Sequence, residues 1–150
     1  MLKKSILILL FLVFISQQEV LANSDKNTDN RLDLLMGKNT HKQYHDFFEK
    51  LKKSALKNDK KTIASMVEYP ITVTVGHKEI EIKNREEFIF KYNTIFTKNL
   101  VGKVINQKYS DLFIKDTGIM IGQSGEILFG GICTVSDCSK FRIKIMQINN

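Results

Sequence analysis

The 150-residue sequence has a formal net charge of +7 and is 43% hydrophobic. This length and composition fit a single domain with a hydrophobic core, and the chain is short for two domains. The basic excess favours an anionic surface, such as lipid head groups or an acidic partner. No nucleic acid is expected as a partner, because no basic motif with interleaved aromatic residues occurs.

Residues 1–22, MLKKSILILLFLVFISQQEVLA, have the pattern of a secretory signal peptide. Two lysines precede an apolar run from Ile6 to Ile15, and the small residue Ala22 marks the predicted cleavage site. The run is short for a membrane span and no later segment is apolar over a sufficient length, so we expect no stable membrane anchor. An uncleaved N-terminal anchor is the less favoured alternative. We therefore expect an exported protein, periplasmic or secreted.

Two helices are predicted before the only proline, Pro70. Residues 23–38 open on a polar stretch without periodicity, which predicts a flexible N-terminus ahead of a single domain over 39–150. Thr40 and Gln43 have the form of a capping box, and the apolar residues that follow recur at helical spacing: Tyr44, Phe47, Phe48, Leu51 and Ala55. A second, short helix is predicted after Asp59 as N-cap.

Strands predominate after Pro70. In ITVTVGHKEIEIK, apolar and polar residues alternate on both sides of Gly76, which predicts a hairpin. Asn84 is the predicted cap of a third helix whose buried stripe runs from Phe88 to Leu100. The runs DLFIK, GIMIG, EILFGGICTV and FRIKIMQI, separated by turn-forming residues, predict an antiparallel meander. Gly130 and Gly131 predict a bulge or sharp bend in it.

Cys133 and Cys138 are the only cysteines in the chain. Four intervening residues can connect two antiparallel strands, in which opposed Cα atoms lie about 4.5–5.5 Å apart, within the range of a disulfide. An oxidising compartment would allow that bridge to form. We predict a bridge that stabilises a hairpin by about 2 kcal/mol and does not determine the fold. A reactive thiol is less favoured, because no His or Arg adjoins either cysteine.

The order of these elements is similar to that of the nuclear transport factor 2-like superfamily. The stretches MVEYPITVTV, NREEFIFKYNTIF and DLFIKDTGIMIGQSGEILF resemble small exported bacterial members whose function is unassigned, although Leu128 stands where such members often have an aromatic residue. The resemblance implies an α+β cone, with three helices packed on a strongly bent antiparallel sheet of about six strands. It also implies a cavity between sheet and helices, and it makes a homodimer through the sheet possible. The fold does not choose among a ligand, a catalytic carboxylate and packed side chains as the contents of that cavity.

Two sets of polar residues are weighed as chemical sites. His41 and His45 would lie on one side of a helix, as a metal half-site requires, but Lys42 stands where the metalloprotease motif needs Glu. We expect no metal and no cofactor. Asp111 and Glu126 each open a predicted strand and are the candidate catalytic carboxylates, although acids at strand starts are usually exposed.

Tyr44, Tyr69 and Tyr92 are the candidate ligand-binding residues, because a tyrosine at a helix–sheet junction packs its ring and offers its hydroxyl to a ligand or a backbone group. Tyr69 is the favoured one, since Pro70 fixes the chain where helix gives way to sheet.

The leading functional hypothesis is a non-enzymatic exported protein that holds a small apolar or amphipathic molecule, or a protein partner, in or around the cone. One alternative is an inhibitor or immunity-type protein that presents the loop CTVSDC to an exported enzyme. A further alternative is an isomerase- or hydrolase-like enzyme that uses a pocket carboxylate.

Overall fold

The computed structural model describes residues 23–150, so the predicted signal peptide lies outside the described residues. Helix α1 runs through residues 23–36, and two helices follow: α2 (His41–Leu56) and α3 (Lys60–Met66). Strands β1 (Ile71–Val75) and β2 (Lys78–Ile82) precede three short helices: α4 (Arg85–Phe90), α5 (Tyr92–Ile95) and α6 (Lys98–Asn106). A 3-10 turn (Tyr109–Asp111) leads to the last four strands: β3 (Phe113–Lys115), β4 (Gly118–Ile121), β5 (Ile127–Cys133) and β6 (Phe141–Asn149). Within residues 23–150, no helix has both the length and the apolar composition that crossing a membrane requires.

The α+β class is confirmed, with a six-stranded sheet in the order β2-β1-β6-β5-β4-β3. Neighbouring strands are antiparallel except β1 and β6, which pair in parallel through Val73 and Ile148. The sheet is therefore mixed, which corrects the prediction of a purely antiparallel one. Parallel neighbours need a crossover connection of a dozen or more residues, and the chain between β1 and β6 is long enough to provide one. Strand β5 has a register shift between Leu128 and Phe129, whereas Gly130 and Gly131, where the bulge or bend was predicted, pair in regular register with Lys144 and Ile143.

The predicted third helix is broken into α4, α5 and α6, so six helical segments occur within residues 23–150 where three were predicted. The predicted cap at Asn84 is confirmed, because its side chain accepts a hydrogen bond from Glu87 N at 2.9 Å. Phe96 leaves the helical region at φ −96° and ψ 73°, and the Thr97 hydroxyl then accepts a hydrogen bond from Leu100 N. The predicted stripe is nevertheless buried along its whole length: Phe88, Tyr92, Ile95, Phe96 and Leu100.

The segment predicted to be flexible is helical over residues 23–36. Leu32 is fully buried, and the Arg31 guanidinium donates to the carbonyl of Ile114 in β3 at 3.0 Å. Asp29 accepts a hydrogen bond from the Tyr109 hydroxyl at 2.7 Å. Polar side chains bonded to distant parts of the chain thus hold α1, which is why the composition of this segment did not reveal it.

Side chains fill the space between the helices and the sheet. Phe47 of α2 stacks on Phe129 of β5 with ring centroids 5.1 Å apart. Phe88, Tyr92 and Phe96 form a second aromatic cluster, in which the centroid distances lie between 5.3 and 6.2 Å. Close packing of this kind leaves little internal volume. The cleft described below lies at the surface of the domain, outside this packed interior.

Candidate functional site

A cleft of about 880 Å³ lies between the C-terminal end of α6, the 3-10 turn and the turn that joins β4 to β5. Asp111 and Glu126, the two carboxylates singled out in the sequence, both line it. The other lining residues are Lys103, Asn106, Gln107, Lys108, Phe113, Met120 and residues 122–125. The tertiary structure thus brings together two acids that lie 15 positions apart in the chain.

Side-chain to backbone hydrogen bonds hold the β4–β5 turn at the base of the cleft. The Gln107 side-chain oxygen accepts from Gly122 N at 2.9 Å, which ties the end of α6 to the turn. The Asn149 side-chain amide donates to the Gly125 carbonyl at 2.9 Å. Gly122 has φ +83°, and a Cβ at this position would overlap the carboxylate of Glu126. The turn therefore requires glycine at residue 122 both for its backbone conformation and for space.

Glu126 is a buried carboxylate that is fully engaged within the protein. Its side chain is only 8% exposed, and its Oε1 lies 2.6 Å from Lys103 Nζ. Its Oε2 accepts a hydrogen bond from Ser124 N at 3.0 Å. Burial by itself would raise the pKa of Glu126, but Lys103 and the backbone N–H groups of Glu126 and Ser124 together hold that pKa below its ordinary value. The carboxylate is therefore ionised near neutral pH and both its oxygens are bonded.

Asp111 has a different environment from Glu126. It ends the 3-10 turn before β3 instead of opening a strand, and its side chain is exposed. Its Oδ1 accepts a hydrogen bond from the Ser110 hydroxyl at 3.0 Å. Of the two predicted acids, Asp111 is thus available to solvent or a ligand at the cleft, while Glu126 supports the turn.

The cleft has an apolar wall and a polar one. Phe113 and Met120 are paired neighbours on β3 and β4, and the Phe113 side chain is 50% exposed. Asn106, Lys108 and Gln123 are exposed and line the same cleft. Within residues 23–150, Lys108 makes no ion pair. A molecule with an apolar portion and a polar or anionic group would find a matching surface for each part.

The three predicted ligand-binding tyrosines lie in or beside the core and are not among the residues that line this cleft. Tyr44 is buried and stacks on Phe141, and burial raises its pKa. The Tyr69 hydroxyl donates to the Ala64 carbonyl at 2.9 Å, and burial raises its pKa as well. Burial raises the pKa of Tyr92 to about 12, and its hydroxyl has no hydrogen-bond partner within residues 23–150. Their role in ligand binding stays a prediction.

The two predicted metal-ligand histidines face α1 and the 3-10 turn. His41 Nδ1 lies 2.8 Å from Asp33 Oδ2, and the His41 backbone N–H donates to the same carboxylate. This backbone hydrogen bond is the main reason that the pKa of Asp33 is lowered. The His45 ring stacks on Tyr109 with centroids 4.0 Å apart. In the described part of the chain, no group of three or more potential metal ligands occurs.

The predicted disulfide is confirmed between Cys133 and Cys138, whose Cα atoms are 4.8 Å apart. It closes the connection between β5 and β6, in which every residue from 133 to 140 is exposed. Thr134 donates to the Lys140 carbonyl from its backbone N at 2.8 Å and from its hydroxyl at 3.1 Å. Asp137 accepts from Ser139 N at 3.0 Å. The loop is therefore restrained by a covalent bond and by hydrogen bonds.

Sequence reasoning missed Lys103 and Gln107, the residues that organise the cleft. Lys103 lies on the amphipathic helix α6 and Gln107 directly follows it, and polar residues in such positions usually face solvent. Their partners, Glu126 and Gly122, are 23 and 15 residues away in the chain, so no local pattern indicated the contacts.

Comparison of the chain with protein-family models, with curated proteins and with solved structures produced no match in any of the three. The function proposed below is therefore derived from the sequence and the geometry of the molecule.

Proposed function

We propose that this chain is an exported, non-enzymatic binding protein with a nuclear transport factor 2-like fold, and that it holds a small amphipathic molecule in the cleft beside α6. The observation that carries this proposal is that one cleft of about 880 Å³ is lined by the apolar residues Phe113 and Met120 and by three exposed polar ones: Asn106, Lys108 and Gln123. Small-molecule sites in proteins commonly have about 300–1,000 Å³ and combine apolar walls with a few polar groups.

The filled interior favours this cleft over the space between sheet and helices. A ligand between α2 and β5 would have to displace the stacked rings of Phe47 and Phe129. Cavities opened in a packed core cost free energy in proportion to their volume. The cleft beside α6 needs no such displacement, and we therefore favour it as the ligand site.

The state of the carboxylates supports a binding function over catalysis. A general base needs a free lone pair and a pKa near the working pH. Glu126 has a lowered pKa and spends both oxygens on Lys103 and Ser124. Asp111 is exposed to water, whereas a general base is usually enclosed in a pocket beside the substrate. The isomerase- or hydrolase-like alternative therefore has less support than binding.

The disulfide supports the exported location, periplasmic or secreted, that we propose. Bridges such as Cys133–Cys138 persist in oxidising compartments and are rare in the cytosol.

A second candidate function is that of an inhibitor or immunity-type protein, which would use the loop 133–140 to contact another exported protein. The supporting observation is that this loop is exposed throughout and is closed by the disulfide. A loop restrained before binding loses less conformational entropy when it docks, which favours affinity.

The cleft proposal is tested with anilinonaphthalene sulfonate, a small fluorescent molecule with an aromatic body and an anionic group. We expect the protein to bind it with enhanced fluorescence, and Phe113→Ala to weaken binding several-fold. Phe90→Ala is the matched control, because Phe90 is 88% exposed and is not among the cleft residues. Equal weakening by both substitutions would refute the cleft as the site.

A further inference from the structure

The outer half of the β5–β6 hairpin projects beyond the rest of the sheet. Strand β4 pairs with β5 only through residues 127–129, and β1 pairs with β6 only at Ile148 and Asn149. Gly118 of β4 still lies beside Gly130, but the pairs from Gly131 with Ile143 to Cys133 with Phe141 have no third strand paired with them within residues 23–150. We call residues 130–144 the hairpin arm. An isolated two-stranded ribbon is marginally stable in water, so a disulfide at its end has a structural purpose.

Helix α2 supports one face of the hairpin arm. The Tyr44 ring stacks on Phe141 with centroids 6.0 Å apart, and a Cβ added to Gly131 would come within 2.7 Å of the Tyr44 hydroxyl. Two contacts thus restrain the arm: the disulfide at its tip, and the packing of Tyr44 against Phe141 and Gly131. A surface carried on this arm is preorganised for contact.

Basic side chains crowd the stem of the arm. Arg142 and Lys144 stand two positions apart on β6 and so project to the same side of the strand, with Lys140 just before them. Burial first, and then the charges of Arg142 and Lys50 of α2, lower the pKa of Lys144. Lys50, Lys140, Arg142 and Lys144 are called the basic stem below.

Internal contacts neutralise the basic stem only in part. Arg142 pairs with Glu68 at 2.8 Å, and Lys144 Nζ donates to the Ser65 carbonyl at 2.6 Å. Glu68 is the one carboxylate paired with the basic stem within residues 23–150. Like charges held close together disfavour the free protein, and an incoming anionic surface would relieve that repulsion.

We infer that the basic stem and the disulfide-closed tip form one docking surface for a protein partner that presents clustered Asp and Glu side chains. This inference rests on the second candidate function and adds the chemistry of the partner. Two features favour a protein over a lipid surface. The guanidinium of Arg142 suits bidentate pairing with a carboxylate, and the tip offers a single large apolar side chain, Val135 (39% exposed), where membrane binding needs a broader apolar face.

The test uses the purified protein and a fluorescein-labelled poly-L-glutamate of about 20 residues as the probe, with fluorescence anisotropy as the readout. We expect Arg142→Gln/Lys144→Gln to raise the Kd about tenfold, because truncated charge pairs at interfaces have effects of this size or larger. The matched control is Lys78→Gln/Lys83→Gln, which removes the same charge from exposed positions on and just after the edge strand β2. The control should change the Kd less than twofold. Circular dichroism confirms that each variant is folded.

Several results would overturn the inference. Equal weakening by the two double variants would show that net charge alone binds the probe. The inference would also be refuted if the protein did not bind polyglutamate at low salt. It would be refuted as well if the protein bound phosphatidylglycerol vesicles in preference to polyglutamate. The variant Cys133→Ser/Cys138→Ser separates the two proposals. If it binds polyglutamate as tightly as the parent protein, the tip has no part in docking and the second candidate function fails, while the basic stem is supported as the anion-binding surface.

Discussion

The ion pair between Lys103 and Glu126 should be the most sensitive electrostatic contact in the molecule. Removal of Lys103 would leave a carboxylate with 8% exposure whose remaining partners are backbone N–H groups. Breaking a fully buried ion pair costs about 3–5 kcal/mol, because the surviving charge is desolvated without compensation. The Lys103 side chain is 40% exposed, so water screens part of this interaction. We therefore expect Lys103→Met to lower the free energy of unfolding by about 1–3 kcal/mol.

Urea unfolding at pH 7, followed by circular dichroism, measures this change. Lys108→Met is the control in the same cleft, since Lys108 is exposed, and a surface substitution usually changes stability by less than about 0.5 kcal/mol. The double variant Lys103→Met/Glu126→Gln should recover part of the loss, because it no longer buries an unpaired charge. The reasoning is refuted if Lys103→Met is no more destabilising than Lys108→Met.

Two further predictions concern acid stability and glycine. The pKa values of Glu126 and Asp33 are lowered from ordinary values of 4.5 and 3.8, so the stability that these groups contribute is present above those values. That stability is lost as the pH falls through the folded-state pKa of each group. Urea titrations from pH 7 to pH 2 should show this loss, and Glu126→Gln should make the stability less dependent on pH. Gly122→Ala should lower the thermal midpoint, because the added Cβ would overlap Glu126. Gly102→Ala should raise the free energy of unfolding by about 0.5–1 kcal/mol, since Gly102 lies in α6 and a Cβ there would meet open space. A Gly122→Ala variant as stable as Gly102→Ala would contradict the geometry of the turn.

Features that depend on neighbours in the chain could be predicted from the sequence. Alternation about Gly76 indicated the β1–β2 hairpin, and Asp59 and Asn84 cap α3 and α4 as expected. The spacing of Cys133 and Cys138 indicated the disulfide. Each of these signals lies within a few residues, because helix caps, turns and short covalent loops are local structures.

Features that depend on distant partners needed the tertiary structure. The break between α5 and α6 lies at Phe96, which is buried in the core, and packing there overrides the helical periodicity of the segment. Helix α1 is held by Asp29 and Arg31, whose partners lie 80 and 83 residues away. Residues so far apart do not fall within the short stretch of sequence from which a helix or strand is predicted.

The candidate sites divide in the same way. The amino-acid sequence by itself determined which residue types were available, including the carboxylates of Asp111 and Glu126 and the cysteines of the hairpin arm. Only the tertiary structure decided that Glu126 is buried against Lys103 and that Lys50 of α2 approaches Lys144. The pKa and the reactivity of a side chain depend on burial and on charges that approach through space, and the order of residues along the chain does not specify either.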